Sequence, residues 1–191
     1  MQWRSEPGGR VPPGQVLTEK WPVLSYGSTP RFDPQTWAFD VTGLVEQPLH
    51  FSYAEFMALP SVEVTSDIHC VTRWSRLDNR WEGVSFHHIF DLCRPLPAAR
   101  HTMIFCDGGY TTNLPLPDLL NDDVLLAYRH DGEDLAPDHG GPLRLVVPRL
   151  YFWKSAKWVR RVELRHAEEP GFWEMYGYHI RGDPWKEERY S

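Results

Sequence analysis

Cysteine is scarce in this chain, which has only Cys70, Cys93 and Cys106 among 191 residues. Three thiols do not make a disulfide framework, so reduced cysteines in a cytoplasmic protein are the simpler interpretation. No Cys-x-x-Cys or His-x-x-x-His spacing occurs in the sequence. This argues against a zinc site made from protein ligands alone.

Long apolar runs are also missing. No segment approaches the roughly 20 residues needed to span a bilayer, and no secretory signal is visible at the N-terminus. We therefore expect no membrane insertion and a cytoplasmic location. A net charge of −6 argues against general attraction to nucleic acid. A Gly-x-Ser-x-Gly elbow, a Walker loop and a Gly-x-Gly-x-x-Gly fingerprint are also absent, which argues against an α/β-hydrolase, a P-loop nucleotidase and a Rossmann dinucleotide-binding enzyme.

What is abundant is proline, glycine and tryptophan, with 17, 14 and 9 residues. Many turns are expected from the first two, and tryptophan often forms pocket walls. Strands are predicted over 37–41, 62–64, 102–106, 124–128, 143–147 and 158–164. Short helices are predicted over 52–59 and 86–92, with another beginning at Pro117. This pattern predicts an α+β fold of mixed β-sheets with few short helices, residues 1–35 forming an extended N-terminal arm and residues 36–191 one domain.

The first chemical signal is Cys70, at the end of an apolar strand. His69 and Arg73 are close to it in sequence, and neighbouring cations favour a reactive thiolate. A buried, inert cysteine is the alternative, because free cysteines are often buried. Cys93 and Cys106 lie in apolar segments and are predicted to be structural.

The second signal is a basic stretch between Arg144 and Arg165. The segment 154–157 offers two ammonium groups, a hydroxyl and successive backbone N–H groups, which together suit a phosphate. Arg160 and Arg161 are predicted to point outward into solvent. Glycine-containing segments at 139–144 and 107–113 could line a ligand site, since glycine lets the backbone approach a ligand closely.

Two other functions remain open from the residues alone. Interleaved aromatic and basic residues over 151–161 are typical of a nucleic-acid or phospho-ligand binding module, although the overall acidity argues against it. A hydrolase could instead use Cys70 as its nucleophile.

Several motifs taken together resemble the molybdopterin-binding catalytic domain of the sulfite oxidase family, in particular its small bacterial sulfite oxidase-like oxidoreductases. They are His-Cys-Val-Thr-Arg-Trp-Ser at 69–75, Gly-Gly-Pro-Leu-Arg-Leu-Val-Val-Pro at 140–148 and Lys-Ser-Ala-Lys-Trp-Val at 154–159. The segment 177–185 is also typical of the small members. The resemblance implies a sulfite oxidase-type molybdopterin-binding fold.

The resemblance also implies a molybdenum-molybdopterin cofactor. Cys70 corresponds to the cysteine whose thiolate binds the metal, and Arg73 and Tyr110 are expected beside the reacting centre. Thr72 stands where the periplasmic sulfoxide reductases carry an acid, so the substrate stays open. The expected cofactor-binding residues are Tyr26, Gly27, His69, Cys70, Thr111, Thr112, His139, Arg144, Ser155, Ala156 and Lys157.

The implied activity is oxygen-atom transfer to or from a small-molecule substrate. Molybdenum cycles between oxidation states two electrons apart, while the protein supplies position, charge and access. An external electron donor or acceptor, such as a cytochrome, is expected as a partner. We expect no nucleic-acid partner and a monomer.

Overall fold

The computed structural model describes residues 9–191, so the start of the arm, 1–8, lies outside the described residues. In chain order the strands are β1 (Val16–Leu17), β2 (Ala38–Gly43), β3 (Leu49–Ser52), β4 (Val62–His69), β5 (Trp74–Ser85), β6 (His101–Cys106), β7 (Thr111–Pro115), β8 (Leu125–His130), β9 (Glu133–Asp134), β10 (Arg144–Val146) and β11 (Val159–Arg165). The short α-helices are α1 (Tyr53–Met57), α2 (Phe86–Cys93), α3 (Leu116–Leu119) and α4 (Phe172–Met175).

The strands form two sheets. The first has the order β1-β5-β8-β10, with β4 added beside β5 and β9 beside β8; the second has the order β3-β2-β11-β6-β7. Strand β1 pairs parallel to β5, and β11 pairs parallel to β2, while the other pairs are antiparallel. The predicted α+β class, with mixed sheets and few short helices, is confirmed.

The main hydrophobic core receives side chains from both sheets. Phe39, Val41 and Ile104 come from the second sheet, and Val84 and Leu126 from the first; all five are fully buried. Cys93 and Cys106 belong to the same core, as expected for structural cysteines. Because both sheets bury apolar side chains against a common core, the loops at their edges are held at fixed positions.

Local sequence signals explain most of the short elements. Helix α1 begins with a capping box in which the Ser52 side chain accepts from the Glu55 amide and the Glu55 side chain accepts from the Ser52 amide. Ser85 caps α2 by accepting a hydrogen bond from the His87 amide. A turn at Asp131 and Gly132 joins β8 to β9 in a hairpin. Within residues 9–191, none of the helices has the length and apolar character needed to cross a bilayer.

The longest strand, β5, was not predicted, because its sequence does not alternate between polar and apolar residues. Asn79 is buried in the middle of it and donates to the carbonyl groups of Ser66 and Arg76. Arg76 in turn forms an ion pair with Asp131 in the hairpin after β8. A buried polar network thus replaces the hydrophobic pattern that normally marks a central strand.

The N-terminal arm is held against the first sheet. Arg10 forms ion pairs with Asp67 and Asp78, and β1 adds two residues to the edge of β5. The boundary between arm and domain at residues 35 and 36 remains a prediction. Arm residues nevertheless pack closely on the first sheet, which brings 21–26 toward the cavity described below.

Replacement of Phe39 by alanine should lower the free energy of unfolding by about 3–5 kcal/mol, because a fully buried ring would leave a cavity in the shared core. Chemical denaturation measures this change. His50→Ala on the paired strand β3 is the matched control. Its side chain is largely exposed, and its contact with Asp40 should contribute at most about 1 kcal/mol. Equal effects of the two substitutions would contradict this description of the core.

Candidate active site

One cavity of about 320 Å³ brings together four segments that are distant in sequence. They are arm residues 21–26, the turn after β4, the stretch 152–158, and aromatic residues around α4. Of the residues predicted for the site, Tyr26, Cys70, Tyr110, Arg144, Ser155, Ala156 and Lys157 line this cavity. The predicted thiol and the predicted cations therefore share one enclosed space.

Cys70 sits at the first position of a tight turn that follows β4. Its amide donates to the Trp74 carbonyl over 2.8 Å, and the Arg73 amide donates back to the Cys70 carbonyl over 3.0 Å. Arg73 adopts a left-handed backbone conformation with φ of 72°, which closes the turn. The Cys70 Sγ lies 3.1 Å from the Thr72 hydroxyl. The turn thereby presents the sulfur on the cavity wall.

Burial dominates the electrostatics of this thiol. It raises the pKa of Cys70, while the Thr72 hydrogen bond and the Arg189 charge act in the opposite direction. His69 is buried, and desolvation lowers its pKa to about 4, so its imidazole is neutral at pH 7. Its Nδ1 is 2.8 Å from the Ser75 hydroxyl. The positive charge near Cys70 thus comes from Arg189 in the C-terminal segment, and His69 does not provide the cation expected from the sequence.

Arg144 is a buried cation in the cavity wall. It donates to the His139 carbonyl over 2.6 Å and to the Ser155 carbonyl over 2.8 Å, and its guanidinium lies 4.2 Å from the Phe152 ring centroid. Its Nε has no hydrogen-bond partner within residues 9–191, and no carboxylate there lies within ion-pairing distance. Burial lowers the pKa of Arg144 to about 9.

Lys157 provides a second cation without an acidic partner in the described part of the chain. Its Nζ donates to the Ser25 hydroxyl over 2.7 Å and to the Asp138 carbonyl over 2.6 Å. Burial, followed by the nearby Arg144 charge, lowers the pKa of Lys157 to about 8. Two cations are therefore held together with no negative side chain between them.

Gly140 makes this close approach possible. Its φ is 112°, and a Cβ at this position would lie 3.0 Å from the Cβ of Arg144 and 3.1 Å from that of Lys157. A larger residue would be strained and would push the two cations apart. The glycines of the 140–148 motif thus have a direct structural role at the site.

The backbone between these cations also offers donors. Across residues 9–191, the amides of Ala156 and Lys157 donate to no backbone or side-chain acceptor. The Ser155 hydroxyl accepts from the Val147 amide over 2.9 Å, so its own proton is still available to a ligand. Free amides, a hydroxyl and two cations form an environment that suits a phosphate.

Lys154 has a different role from the one its motif indicated. Its ammonium group is fully buried, 2.6 Å from Glu174 Oε1, and donates to Asn113 and to the Ile180 carbonyl. The Trp153 indole donates to the same Glu174 oxygen over 2.8 Å. The prediction that both lysines of 154–157 face a phosphate is therefore wrong for Lys154, which instead anchors α4.

The basic stretch is also less exposed than predicted. Trp153 and Trp158 are buried, and Arg160 is partly buried, with its Nε 3.1 Å from Asp107 Oδ1. Arg161 stacks on Phe105 at 4.0 Å from the ring centroid. The predicted outward orientation of Arg160 and Arg161 holds in part, because their side chains are 30% and 41% exposed while each also contacts a neighbouring side chain. A nucleic acid could not reach Trp153, Lys154 and Trp158 in this structure.

The remaining predicted residues lie outside the cavity lining. Arg73 points toward Gly14 and Glu187 of the arm and C-terminal segment. His139 stacks on Trp21 with ring centroids 3.8 Å apart, and Thr112 is buried behind Tyr110. This set comprises Gly27, His69, Arg73, Thr111, Thr112 and His139. Direct contacts of these six with a cofactor remain predictions.

Several lining residues were missed by the sequence analysis. Trp21 and Ser25 of the arm contact His139 and Lys157, and Trp173 stacks on Tyr178 with centroids 5.0 Å apart. The only sequence signal for them was the high number of tryptophans, which does not say which rings meet. Within residues 9–191, no three His, Cys, Asp or Glu side chains come together in a group that could hold a metal ion.

Comparison with known proteins assigns this chain to a family. The model of the oxidoreductase molybdopterin binding domain matches residues 26–173. The chain belongs to this family. The resemblance to the sulfite oxidase family is thereby confirmed, and the match includes both the Cys70 turn and the Arg144–Lys157 pair.

Individual relatives agree with this assignment. The chain is 48% identical over 189 residues to "Uncharacterized oxidoreductase YuiH" of Bacillus subtilis (strain 168), covering 98% of this chain and 96% of that protein. It is 28% identical to the protein-methionine-sulfoxide reductase catalytic subunit MsrP of Gluconobacter oxydans (strain 621H), covering 80% of this chain and 56% of that protein. It is 27% identical to nitrate reductase [NADH] 1 of Oryza sativa subsp. japonica, covering 79% of this chain and 20% of that protein.

The fold has a solved counterpart. The sulfane dehydrogenase SoxCD from Paracoccus pantotrophus superimposes with a TM-score of 0.66 at 23% identity, covering 73% of this chain and 40% of that one. The chain is thus an oxidoreductase of the sulfite oxidase type, and its cofactor is molybdenum-molybdopterin. The nucleic-acid module and the Cys70 hydrolase are not supported.

The two lysines of 154–157 should respond differently to substitution. Lys154→Met should destabilise the protein by about 3–5 kcal/mol, because Glu174 would remain as an unpaired buried charge. Lys157→Met should lower the free energy of unfolding of the cofactor-free protein by less than about 1 kcal/mol, because no carboxylate of the described residues pairs with it. Chemical denaturation of both variants measures the difference. Similar losses of stability would contradict the separate roles assigned to these lysines.

Proposed function

We propose that this protein catalyses molybdopterin-dependent oxygen-atom transfer on a small molecule at the Cys70 end of the cavity. The observation that carries the proposal is that one cavity wall contains a buried thiol and two cations, Arg144 and Lys157, that have no acidic partner within residues 9–191. The family assigns molybdopterin to such a domain, and a cofactor with an anionic tail and a metal at its other end matches this arrangement.

The phosphate end of the cofactor fits the residues around Arg144 and Lys157. A buried guanidinium with an unsatisfied Nε is costly to desolvate, and an anion reduces that cost. The free amides of Ala156 and Lys157 and the Ser155 hydroxyl add donors at the same place. These residues would hold the phosphate by charge-assisted hydrogen bonds.

The metal end fits the Cys70 turn. Cys70 is the only cysteine in the cavity lining, and its thiolate would be the protein's ligand to molybdenum. The cofactor supplies the two-electron redox chemistry, and the protein positions the reacting groups. The turn fixes the sulfur through its backbone hydrogen bonds, so Cys70 needs little reorganisation to bind a metal.

Aromatic residues form the wall that would meet the substrate. Tyr110 donates to the Trp153 carbonyl over 2.6 Å, and burial raises its pKa well above the ordinary value. We therefore assign Tyr110 to shaping the pocket, because its hydroxyl already donates to the Trp153 carbonyl and stays protonated. Trp74, Trp173 and Tyr178 complete this wall and exclude water. Relatives named for sulfoxide reduction and nitrate reduction support oxygen-atom chemistry.

Each turnover moves two electrons that must be exchanged with another molecule. We assign this role to an external redox protein such as a cytochrome. The exposed rings of Tyr176 and Tyr190 lie beside Trp173 and Tyr178 and would offer it a surface for transient docking.

We propose that the protein is a cytoplasmic monomer. Three buried free thiols suit a reducing compartment. Size-exclusion chromatography should give a single species near 22.3 kDa, and fractionation should recover it with cytoplasmic markers; a stable dimer or an exported protein would contradict this.

Cys70→Ser and Lys157→Met should separate the two ends of the cofactor. Cys70→Ser should abolish turnover and remove thiolate-to-molybdenum absorption while the pterin content stays close to that of the parent. Lys157→Met should lower pterin content several-fold, because the phosphate would lose a charge-assisted contact worth about 1.5–3 kcal/mol. Pterin content is measured by the fluorescence of the released, oxidised pterin. Turnover is measured as oxidation of sulfite with ferricyanide, and as reduction of sulfoxides or N-oxides with reduced viologen.

Cys93→Ala serves as the control, since Cys93 is buried in the core away from the cavity. It should keep the absorption and the turnover of the parent. Full turnover and unchanged absorption in Cys70→Ser would show that Cys70 is not a metal ligand. Unchanged pterin content in Lys157→Met would exclude the phosphate role.

A further inference from the structure

Arg189 is a second buried arginine, located directly behind the Cys70 turn. Its Nη1 donates to the Val71 carbonyl over 2.6 Å, and its guanidinium lies 4.8 Å from the Tyr151 ring centroid. Only 6% of the residue is exposed. The residue lies outside the segment 26–173 that matches the family domain.

The charge of Arg189 is poorly compensated. In the part of the chain that the structure describes, the one carboxylate within 4 Å is Glu187, at 3.7 Å from Nη2, and its side chain is about half exposed. The Nε and Nη2 atoms are buried and have no hydrogen-bond partner among those residues. The buried ammonium of Lys154 shows the contrast, since it has Glu174 at 2.6 Å. An uncompensated buried cation is costly unless a negative charge lies nearby.

The position of Arg189 shows where such a charge would lie. Arg189 is not part of the cavity wall, and the Val71 carbonyl connects it to the turn that carries Cys70. From the other side, Gln15 Nε2 donates to the Cys70 carbonyl over 3.1 Å. The arm and the C-terminal segment thus hold two successive carbonyls of the turn. Any charge on the Cys70 sulfur is placed close to the guanidinium.

We propose that Arg189 is a positioning residue that fixes the Cys70 turn and raises the reduction potential of the molybdenum centre by compensating its negative charge. The inference rests on the proposed function, in which the Cys70 thiolate binds the metal. Thiolate ligands would give the bound centre negative charge, and an electron that is added without a proton would increase it. A cation behind the ligand stabilises the reduced state more than the oxidised state, and its effect is large because the site is buried.

Arginine suits this position better than lysine for two reasons. Its planar guanidinium can stack on the Tyr151 ring, and from the same position it can donate to the Val71 carbonyl. Lysine would keep the charge and lose the stacking. Glutamine would keep a hydrogen-bond donor and lose the charge. These two replacements therefore separate the electrostatic contribution from the packing contribution.

The test is a redox titration of the loaded holoenzyme, with Mo(V) followed by electron paramagnetic resonance and normalised to bound molybdenum. In Arg189→Gln, the ratio of reduced to oxidised centre at a fixed poise should fall roughly tenfold, because one nearby positive charge is lost. Arg189→Lys should stay within about threefold of the parent. Arg181→Gln is the control. Arg181 lies in the same C-terminal segment, pairs with Asp118 at 3.0 Å, and should leave the potential unchanged.

An unchanged potential in Arg189→Gln would overturn the inference. Equal shifts in the Gln and Lys variants would also overturn it, because they would show that packing alone is involved. The Mo(V) spectrum of Cys70→Ser distinguishes this result from failure of the proposed function. If Cys70→Ser alters the spectrum and Arg189→Gln does not alter the potential, only the role of Arg189 is wrong. If Cys70→Ser leaves the spectrum unchanged, the metal assignment itself is wrong.

Discussion

Burial of positive charge without matching acidic side chains is the constraint on which this site depends. Arg144 and Arg189 are both more than nine-tenths buried, and both keep N–H groups without a partner among the described residues. In a chain with a net charge of −6, carboxylates are plentiful, yet among residues 9–191 the one within 4 Å of either guanidinium is Glu187, at 3.7 Å from Arg189. Such an arrangement is unfavourable in the protein alone and becomes favourable when an anionic cofactor supplies the missing charge.

The fold meets this constraint by joining segments from distant parts of the chain. Two sheets share one core, and the loops at their edges bring the Cys70 turn and the stretch 152–158 to the same cavity. Gly140 lets Arg144 and Lys157 approach each other, while Glu174 removes Lys154 from the site by pairing with it. The arm then contributes Ser25 to Lys157 and Trp21 to the wall.

The sequence predicted the fold class, and seven of the residues that it predicted for the site line one cavity, because both depend largely on local signals. The short helices and the apolar strands could be predicted from the sequence, and the motifs around Cys70, Arg144 and Lys157 indicated the family. Strand β5 could not be predicted, because its stability comes from Asn79, Arg76 and Asp131 meeting in three dimensions. For the same reason the sequence could not distinguish Lys154 from Lys157. Only the position of Glu174 decides which lysine is free for a ligand.

Because the cavity wall is built from distant segments of the chain, a cofactor bound there would affect the stability of the protein in the cell. Arm, turn, central stretch and C-terminal segment meet only in the folded chain, so a ligand bound there favours the native state and not the unfolded ensemble. Under the proposed function, molecules without the cofactor would retain the electrostatic repulsion between Arg144 and Lys157 and would unfold more readily. Proteolytic quality control would then remove unloaded copies preferentially, and cellular abundance would follow molybdopterin supply.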